Sequence, residues 1–85
     1  MEIQTTKPFD KNWDTLPQGI KRRTKKQFDL LIKNPKHPSL RLKKMQGYPE
    51  TWEGSITRNY RSTFQIEGDT YILRKVGKHE ILRKP

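Results

Sequence analysis

An arginine and a histidine in the second half of the chain are the residues best suited to chemistry. Arg61 follows Tyr60 in a run of residues with β-strand propensity, and His79 follows Gly77-Lys78 after another such run. A guanidinium can donate two charge-assisted hydrogen bonds to a phosphate, and an imidazole can carry a proton near neutral pH. Together these side chains could act on a phosphodiester if the fold brings them to one place.

Further cations near these two residues are candidates for holding flanking phosphates. The predicted RNA- and phosphate-binding residues are Lys43, Lys44, Arg58, Arg74 and Lys78. The whole chain carries 19 Lys and Arg against 9 Asp and Glu, a formal net charge of +10. Such an excess favours a polyanionic partner, most commonly nucleic acid. The alternative is a basic surface that serves solubility alone.

Each candidate also has a purely structural interpretation. Arg61 could pair with Glu53 or Glu67 across strands, and His79 could be an ordinary surface histidine. Tyr60 is better suited to packing in a sheet than to catalysis. The functional interpretation therefore depends on where the fold places Arg61 and His79.

The composition of the chain excludes several classes of site. Cysteine is absent, so there is no disulfide or thiolate metal site, and the two histidines lack carboxylates at metal-binding spacing. We therefore expect no metal or other cofactor. No long apolar run occurs in the sequence, so we expect a cytosolic protein that does not enter a membrane.

Apolar periodicity predicts two helices in the first part of the chain. The spacing from Phe9 to Leu16 indicates a first helix with Asp10 as its N-cap, and a capping box at residues 15–18 starts a second helix over about residues 17–33. The residues predicted to face inward on the second helix are Ile20, Thr24, Phe28, Leu31 and Ile32. Its lysines and Arg22 are predicted to face solvent.

Alternating patterns predict the strands. Residues 3–5 suggest a short opening strand, a half-buried strand starts at Leu40, two more follow within residues 51–66, and another spans residues 71–76. This order predicts a single α+β domain over residues 1–85. It consists of an N-terminal strand, a two-helix hairpin and a mainly antiparallel four-stranded sheet that the helices cover on one face.

The turn between the last two strands decides whether the two candidate catalytic residues meet. A two-residue Gly68-Asp69 turn puts Arg61 and His79 on opposite faces, whereas a three-residue loop that includes Glu67 puts them on one face. A bulge at Gly77 would also change which residues of the two strands lie on the same face of the sheet. The residue types leave these alternatives open.

Five segments taken together resemble the RelE/ParE superfamily of bacterial toxin–antitoxin toxins. They are residues 37–47, Trp52, residues 58–61, residues 67–70 and residues 76–80. The resemblance covers nearly the whole chain and implies the RelE-like fold. In the RelE branch it implies metal-free cleavage of messenger RNA in the ribosomal A site, with an acidic antitoxin as inhibitor. In the ParE branch it implies a toxin that inhibits DNA gyrase.

The resemblance also implies roles for individual residues. Arg61 matches the arginine that family nucleases carry after tyrosine, and His79 matches their catalytic position after Gly-Lys. Metal-free cleavage uses the 2′-hydroxyl of the RNA as nucleophile, so the protein must move protons and stabilise a phosphorane. Where family nucleases often carry basic residues, this chain has Glu53 and Ser55, and it lacks the tyrosine that many members carry near the C-terminus.

Three functions therefore follow as alternatives. The first is a ribosome-dependent endoribonuclease toxin with ribosome, messenger RNA and antitoxin as partners. The second is a ParE-like toxin that binds gyrase and has no nuclease activity. The third is a catalytically weak relative that only binds RNA or a protein partner.

Overall fold

The order of helices and strands follows the prediction closely. The computed structural model describes all of residues 1–85. In chain order the elements are β1 (Glu2–Thr5), α1 (Lys7–Asp14), α2 (Gln18–Lys33), a 3₁₀ turn (Pro38–Leu40), β2 (Lys43–Lys44), β3 (Thr51–Ser55), β4 (Tyr60–Glu67), β5 (Thr70–Lys78) and a C-terminal 3₁₀ helix (His79–Arg83). The predicted α+β class is confirmed.

All five strands form one sheet in the order β1-β5-β4-β3-β2. The pairs β2–β3, β3–β4 and β4–β5 are antiparallel, as expected for consecutive strands joined by short connections. The N-terminal strand is parallel to β5, because the two helices carry the chain across the sheet between β1 and the hairpins. The sheet is therefore mixed: the predicted antiparallel four-stranded part is β2 to β5, and β1 adds a parallel edge strand next to β5.

The two helices cover one face of this sheet, here called the helix face. Phe64 and Tyr71 meet there edge to face with ring centroids 5.5 Å apart, and the Tyr71 hydroxyl donates to the Leu31 carbonyl of α2 at 3.4 Å. Burial raises the pKa of Tyr71. The buried apolar core comprises Phe9, Leu16, Leu31, Leu40, Ile56, Phe64, Tyr71, Leu73 and Val76.

The predicted N-cap of α1 is wrong. Thr6 occupies that position, and its hydroxyl accepts a hydrogen bond from the Phe9 N–H at 3.4 Å while donating to the Leu73 carbonyl of β5 at 2.9 Å. Asp10 lies in the first turn of the helix instead. Thr6 is the better cap because one hydroxyl both closes the helix and ties it to the sheet.

The capping box predicted for α2 is also absent. Pro17 is the N-cap and has no side-chain group that could accept a hydrogen bond. The Thr15 hydroxyl, predicted to cap α2, instead donates to the Asn12 carbonyl at 2.9 Å at the end of α1. The inward face of α2 needs one correction as well. Ile32 is 38% exposed, whereas Gln27 is 2% exposed.

The strand predicted from Leu40 is largely a turn. Leu40 belongs to the 3₁₀ turn, in which the His37 ring Nδ1 accepts a hydrogen bond from the Ser39 N–H at 3.1 Å. Arg41 then adopts a left-handed conformation with φ of 46°, and β2 begins only at Lys43. The Gln27 amide secures this turn by donating to the Ser39 carbonyl at 3.3 Å. The chain thus reverses before it joins the sheet edge.

The opposite face of the sheet carries Arg61 and Thr63, and the C-terminal residues 79–85 fold back onto it, so it is here called the tail face. The Tyr48 hydroxyl donates to the Arg83 carbonyl at 2.8 Å, and Arg74 Nε donates to the Pro85 oxygen at 3.1 Å.

Neither α-helix is both long and apolar enough to cross a membrane.

Candidate active site

A bulge in β5 brings the two candidate catalytic residues to one face. The hairpin has the two-residue Gly68-Asp69 turn, because Glu67 pairs with Thr70. The pairing then shifts by one residue, since Phe64 lies opposite Leu73 but Thr63 lies opposite Lys75. Arg74 is therefore the extra residue of a bulge.

The consequence of this bulge is that Arg61 lies opposite Gly77. A regular two-residue hairpin would have placed Arg61 opposite Val76 and turned it away from His79. A bulge at Gly77 was one of the ways in which the two residues could come to share a face. The bulge lies at Arg74 instead and has the same effect. As a result, the tail face carries Arg61, Gly77 and His79, the residue at which the C-terminal 3₁₀ helix begins.

Arg61 and His79 are in direct contact. Arg61 Nε donates a hydrogen bond to His79 Nε2 at 3.4 Å, and the pair is exposed to solvent. An imidazole nitrogen can accept a hydrogen bond only when it carries no proton, so a histidine in this geometry can serve as a proton acceptor beside a guanidinium.

His79 lines a small cleft at one side of this contact. The other residues that line it are Asn59, Lys78 and Glu80, and its volume is about 260 Å³. Lys78 is the residue paired with Tyr60 in the hairpin, so the strand register fixes its position beside the histidine. One predicted phosphate-binding residue, Lys78, thus lies in the same cleft as the predicted base.

A second cleft, here called the arginine cleft, lies where the ends of β3 and β4 meet α2 and the 3₁₀ turn. Its volume is about 360 Å³. The residues that line it are Arg23, Ser39, Arg41, Ser55, Ile56, Thr57, Arg58 and Arg61. Four of these side chains are guanidinium groups and none is a carboxylate. Arg61 lines this cleft and contacts His79, so the pair lies between the two clefts.

A hydrogen-bonded loop between β3 and β4 positions Arg58 in the arginine cleft. The Ile56 and Thr57 N–H groups donate to the Tyr60 carbonyl at 3.0 and 3.2 Å, and the Tyr60 N–H donates back to the Thr57 hydroxyl at 3.2 Å. These bonds close the loop tightly, so the exposed side chain of Arg58 projects from a defined backbone. Arg58, a predicted phosphate-binding residue, lines the same cleft as Arg61.

The two predicted lysines of β2 lie on different faces. Lys43 pairs with Glu53, which pairs with Thr63, so Lys43 is on the tail face with Arg61. Lys44 pairs with Trp52 and therefore belongs to the helix face. Glu53 lies beside Lys43 in the cross-strand row Lys43-Glu53-Thr63. The neighbouring row is Ser55-Arg61-Gly77.

Arg74 is placed apart from the other predicted phosphate-binding residues. Its guanidinium donates to the Pro85 oxygen at 3.1 Å and to Gln65 Oε1 at 3.3 Å. It thus contacts the C-terminal residues and lines neither cleft beside His79 and Arg61.

Sequence reasoning missed Arg23 and Arg41 as parts of the site. Arg23 follows Ile20 by three residues and precedes the buried Gln27 by four, so helical spacing puts it at the border of the inward face of α2. That spacing was the signal that could have revealed it. Arg41 gave no comparable signal, because its position depends on the 3₁₀ turn that the alternating pattern concealed.

The site contains no evident metal centre. No group of three or more His, Asp or Glu side chains in the chain is arranged to hold a metal ion. The ionisable side chains that line the two clefts are the His79 imidazole, four guanidinium groups, the Lys78 ammonium and the Glu80 carboxylate.

Comparisons with known proteins identify the fold. No family model matches the sequence, and no curated protein matches it. A chain of the RelB–RelE antitoxin–toxin complex from Methanococcus jannaschii is 27% identical, with a TM-score of 0.70 and 93% of each chain covered. A chain of the intact E. coli RelBE toxin–antitoxin complex is 19% identical, with a TM-score of 0.71 over 91% of this chain and 94% of that one.

YafQ from E. coli strain BL21(DE3) is 15% identical, with a TM-score of 0.79 over 95% of this chain and 96% of that one. These structures match the chain over nearly its full length and theirs. The chain therefore has the fold of the RelE-like toxins.

Proposed function

We propose that the chain is a ribosome-dependent endoribonuclease, the toxin of a toxin–antitoxin pair, which cleaves messenger RNA by attack of a 2′-hydroxyl on the adjacent phosphate. The observation that carries this proposal is the 3.4 Å contact between Arg61 Nε and His79 Nε2. It places His79, which can accept a proton, beside Arg61, which can bind a phosphate, on one face of the sheet. Clefts lined by further cations lie on both sides.

In the proposed reaction His79 is the general base. When the scissile phosphate binds, its oxygens compete for the Arg61 guanidinium, because a phosphate oxygen is a stronger acceptor than an imidazole nitrogen. The long contact to His79 breaks, and Nε2 becomes free to take the proton of the 2′-hydroxyl. The 2′-oxygen then forms a bond to phosphorus.

Arg61 stabilises the charge that develops during this step. The pentacoordinate phosphorane carries more negative charge on its equatorial oxygens than the ground state, and a planar guanidinium can donate two hydrogen bonds to them. The bond from phosphorus to the 5′-oxygen breaks, and that oxygen takes a proton from solvent. His79, which is exposed, returns the proton of the 2′-hydroxyl to solvent, so the base is regenerated. The products are a 2′,3′-cyclic phosphate and a 5′-hydroxyl.

The charge of the chain supports the proposed partners. A formal net charge of +10 on 85 residues attracts both ribosomal RNA and an acidic protein. Two of the structural relatives are toxin–antitoxin complexes, which supports an antitoxin as the inhibitor of this chain. An acidic product of the adjacent gene should therefore raise the melting temperature of the chain, because it binds the folded state.

The test of the nuclease is single-turnover cleavage of ribosome-bound messenger RNA. Wild-type protein should leave 2′,3′-cyclic phosphate ends, and a 2′-O-methyl group at the cleaved nucleotide should block cleavage. Arg61→Ala and His79→Ala should slow the reaction. Equal rates for wild type and both variants would refute the assignment.

One observation favours a catalytically weak relative as the second candidate. Glu53 lies on the tail face next to Lys43, where it repels phosphate rather than attracting it. Binding of messenger RNA without any cleavage by wild-type protein would support this candidate. Toxicity that survives both Arg61→Ala and His79→Ala would instead support the gyrase-directed alternative.

A further inference from the structure

We infer that the arginine cleft is a second phosphate subsite, in which Arg23 and Arg41 bind the RNA phosphate next to the scissile one. This inference rests on the proposed function for the direction of the RNA strand, although binding to the cleft can be measured without cleavage. It assigns a role to two residues on α2 and on the 3₁₀ turn, outside the sheet that carries Arg61 and His79.

Arg23 is held with its donor groups available. Its Nε donates to the Ile56 carbonyl at 3.1 Å, which fixes the guanidinium across the end of β3. The two amino groups of the same guanidinium remain for a ligand in the cleft. A guanidinium fixed in this way loses less conformational entropy when it binds an anion than a free side chain does.

Arg41 lines the cleft from a strained backbone. Its φ of 46° is a left-handed conformation that is unfavourable for a residue with a Cβ, and glycine or asparagine would adopt it more readily. The buried Gln27 amide stabilises the surrounding turn through the Ser39 and Ser55 carbonyls. Strain at a residue that lines a cleft points to a functional constraint on that side chain.

The electrostatics of the cleft favour an anion. Four guanidinium groups surround about 360 Å³ with no carboxylate among the lining residues, so their mutual repulsion is not offset within the cleft. Its volume lies within the range of roughly 300–1,000 Å³ typical of small-molecule sites. The hydroxyl-bearing residues Ser39, Ser55 and Thr57 also line it. A phosphate with part of its nucleotide matches this chemistry.

The position of Arg61 determines which phosphate the cleft would hold. Arg61 lines the arginine cleft and also contacts His79, so a scissile phosphate at Arg61 lies at the boundary between the two clefts. The chain of the RNA on one side of that phosphate then passes Arg23 and Arg41. Arg58, on the loop between β3 and β4, completes the same subsite.

The experiment uses non-cleavable RNA so that binding is separated from catalysis. Fluorescently labelled 2′-O-methyl oligonucleotides of increasing length bind to the whole chain, and anisotropy gives each Kd. Addition of the phosphate that reaches the cleft should tighten binding to wild type. Arg23→Gln and Arg41→Gln should remove this gain, weakening binding about tenfold, a loss typical of a charge-assisted hydrogen bond.

Salt dependence gives a second readout. For a single strand, each lost phosphate contact should reduce the slope of log K against log salt by about 0.7. Arg22→Gln is the matched control, because Arg22 is exposed on α2 with its guanidinium near Gly19 and does not line the cleft. It should leave the gain from the added phosphate unchanged.

Three outcomes separate this inference from the proposed function. If wild type cleaves RNA but Arg23→Gln, Arg41→Gln and Arg41→Gly all bind the oligonucleotides as wild type does, the subsite is refuted and the nuclease stands. If the variants lose binding while wild type fails to cleave, the subsite stands without the nuclease. If the variants lose affinity only for the acidic antitoxin, the cleft binds protein carboxylates and the inference is wrong.

Discussion

Ile81 lies directly over Gly77 on the tail face. A Cβ built at Gly77 would come within 2.9 Å of the Ile81 Cγ2 methyl, a distance that real Cβ contacts do not reach. Gly77 is also the residue opposite Arg61, and it is two residues before His79. The absence of a side chain at Gly77 therefore allows the C-terminal 3₁₀ helix to pack close to the strand that positions the candidate base.

This contact predicts the effect of a single methyl group. Gly77→Ala should displace Ile81 and, with it, the helix that starts at His79, lowering the free energy of unfolding by about 1–3 kcal/mol as overpacking does. Because 1 Å of misplacement can cost about 10²-fold in rate, single-turnover cleavage should fall as well. Urea denaturation and the cleavage assay together measure both effects.

Gly19→Ala is the control for that substitution. Gly19 lies in the first turn of α2, where a Cβ would meet only the Arg22 guanidinium at 3.9 Å. Alanine favours a helix over glycine by up to about 1 kcal/mol, so this variant should be as stable as wild type or more stable. A similar loss of stability in both variants would contradict the steric explanation for Gly77.

The roles proposed for Arg61 and His79 predict different losses on substitution. Arg61→Ala should lower the single-turnover cleavage rate by about 10²-fold or more with little change in ribosome affinity, because the guanidinium acts on charge that appears only in the transition state. Arg61→Lys should recover only part of the rate, since an ammonium lacks the planar pair of donors.

His79→Ala should slow cleavage by about 10²-fold to 10⁴-fold and flatten the dependence of the rate on pH around neutrality, where imidazole bases change charge. Lys25→Ala, an exposed substitution on α2, is the control and should leave the rate unchanged. A pH profile of the same shape in His79→Ala and wild type would exclude His79 as the base.

Local residue chemistry was sufficient to predict most of the fold. The Gly68-Asp69 pair indicated the hairpin turn because glycine tolerates a positive φ, and Gly68 does have a φ of 58°. Alternation in β4 and β5 indicated the two central strands. A bulge was considered at Gly77, and its actual position at Arg74 was missed although its signal was present. The inward residues Tyr71, Leu73 and Val76 are spaced by two and then by three, which requires an extra residue between the last two.

The arginine cleft, by contrast, could not be predicted from local patterns. It forms only when α2 and the 3₁₀ turn pack against the end of β3, which brings Arg23 to within 3.1 Å of the Ile56 carbonyl across 33 positions of sequence. Propensity and periodicity describe neighbours along the chain, so they pointed to Arg61 on β4 and Arg58 on the loop before it, but not to the residues that other elements contribute.

The strained backbone at Arg41 predicts a conflict between stability and binding. Arg41→Gly suits a φ of 46° and should raise the free energy of unfolding by up to about 1 kcal/mol, or the melting temperature by about 4–8 °C. The same variant lacks the guanidinium and should bind the longer 2′-O-methyl oligonucleotides about tenfold less tightly. A variant that is more stable and also binds equally well would show that the strain serves no ligand.

A buried hydroxyl beneath the C-terminal residues predicts a stabilising substitution. Thr63 is fully buried at 0% exposure on the tail face, and its Oγ1 is the one buried side-chain polar atom without a hydrogen-bond partner. Such a group costs roughly 1–3 kcal/mol, and valine has nearly the same shape without the hydroxyl. Thr63→Val should therefore raise the free energy of unfolding by about 1 kcal/mol or more, measured by urea denaturation.

Thr24→Val is the matched control for Thr63→Val, because Thr24 is equally buried at 0% exposure. Its hydroxyl, however, donates to the Ile20 carbonyl at 2.7 Å, so removal of the hydroxyl should cost about 1 kcal/mol. The two substitutions are chemically identical and should change stability in opposite directions. If both variants lose stability, Thr63 has a partner in solution, and a water molecule bound beneath the C-terminal 3₁₀ helix becomes the explanation to test.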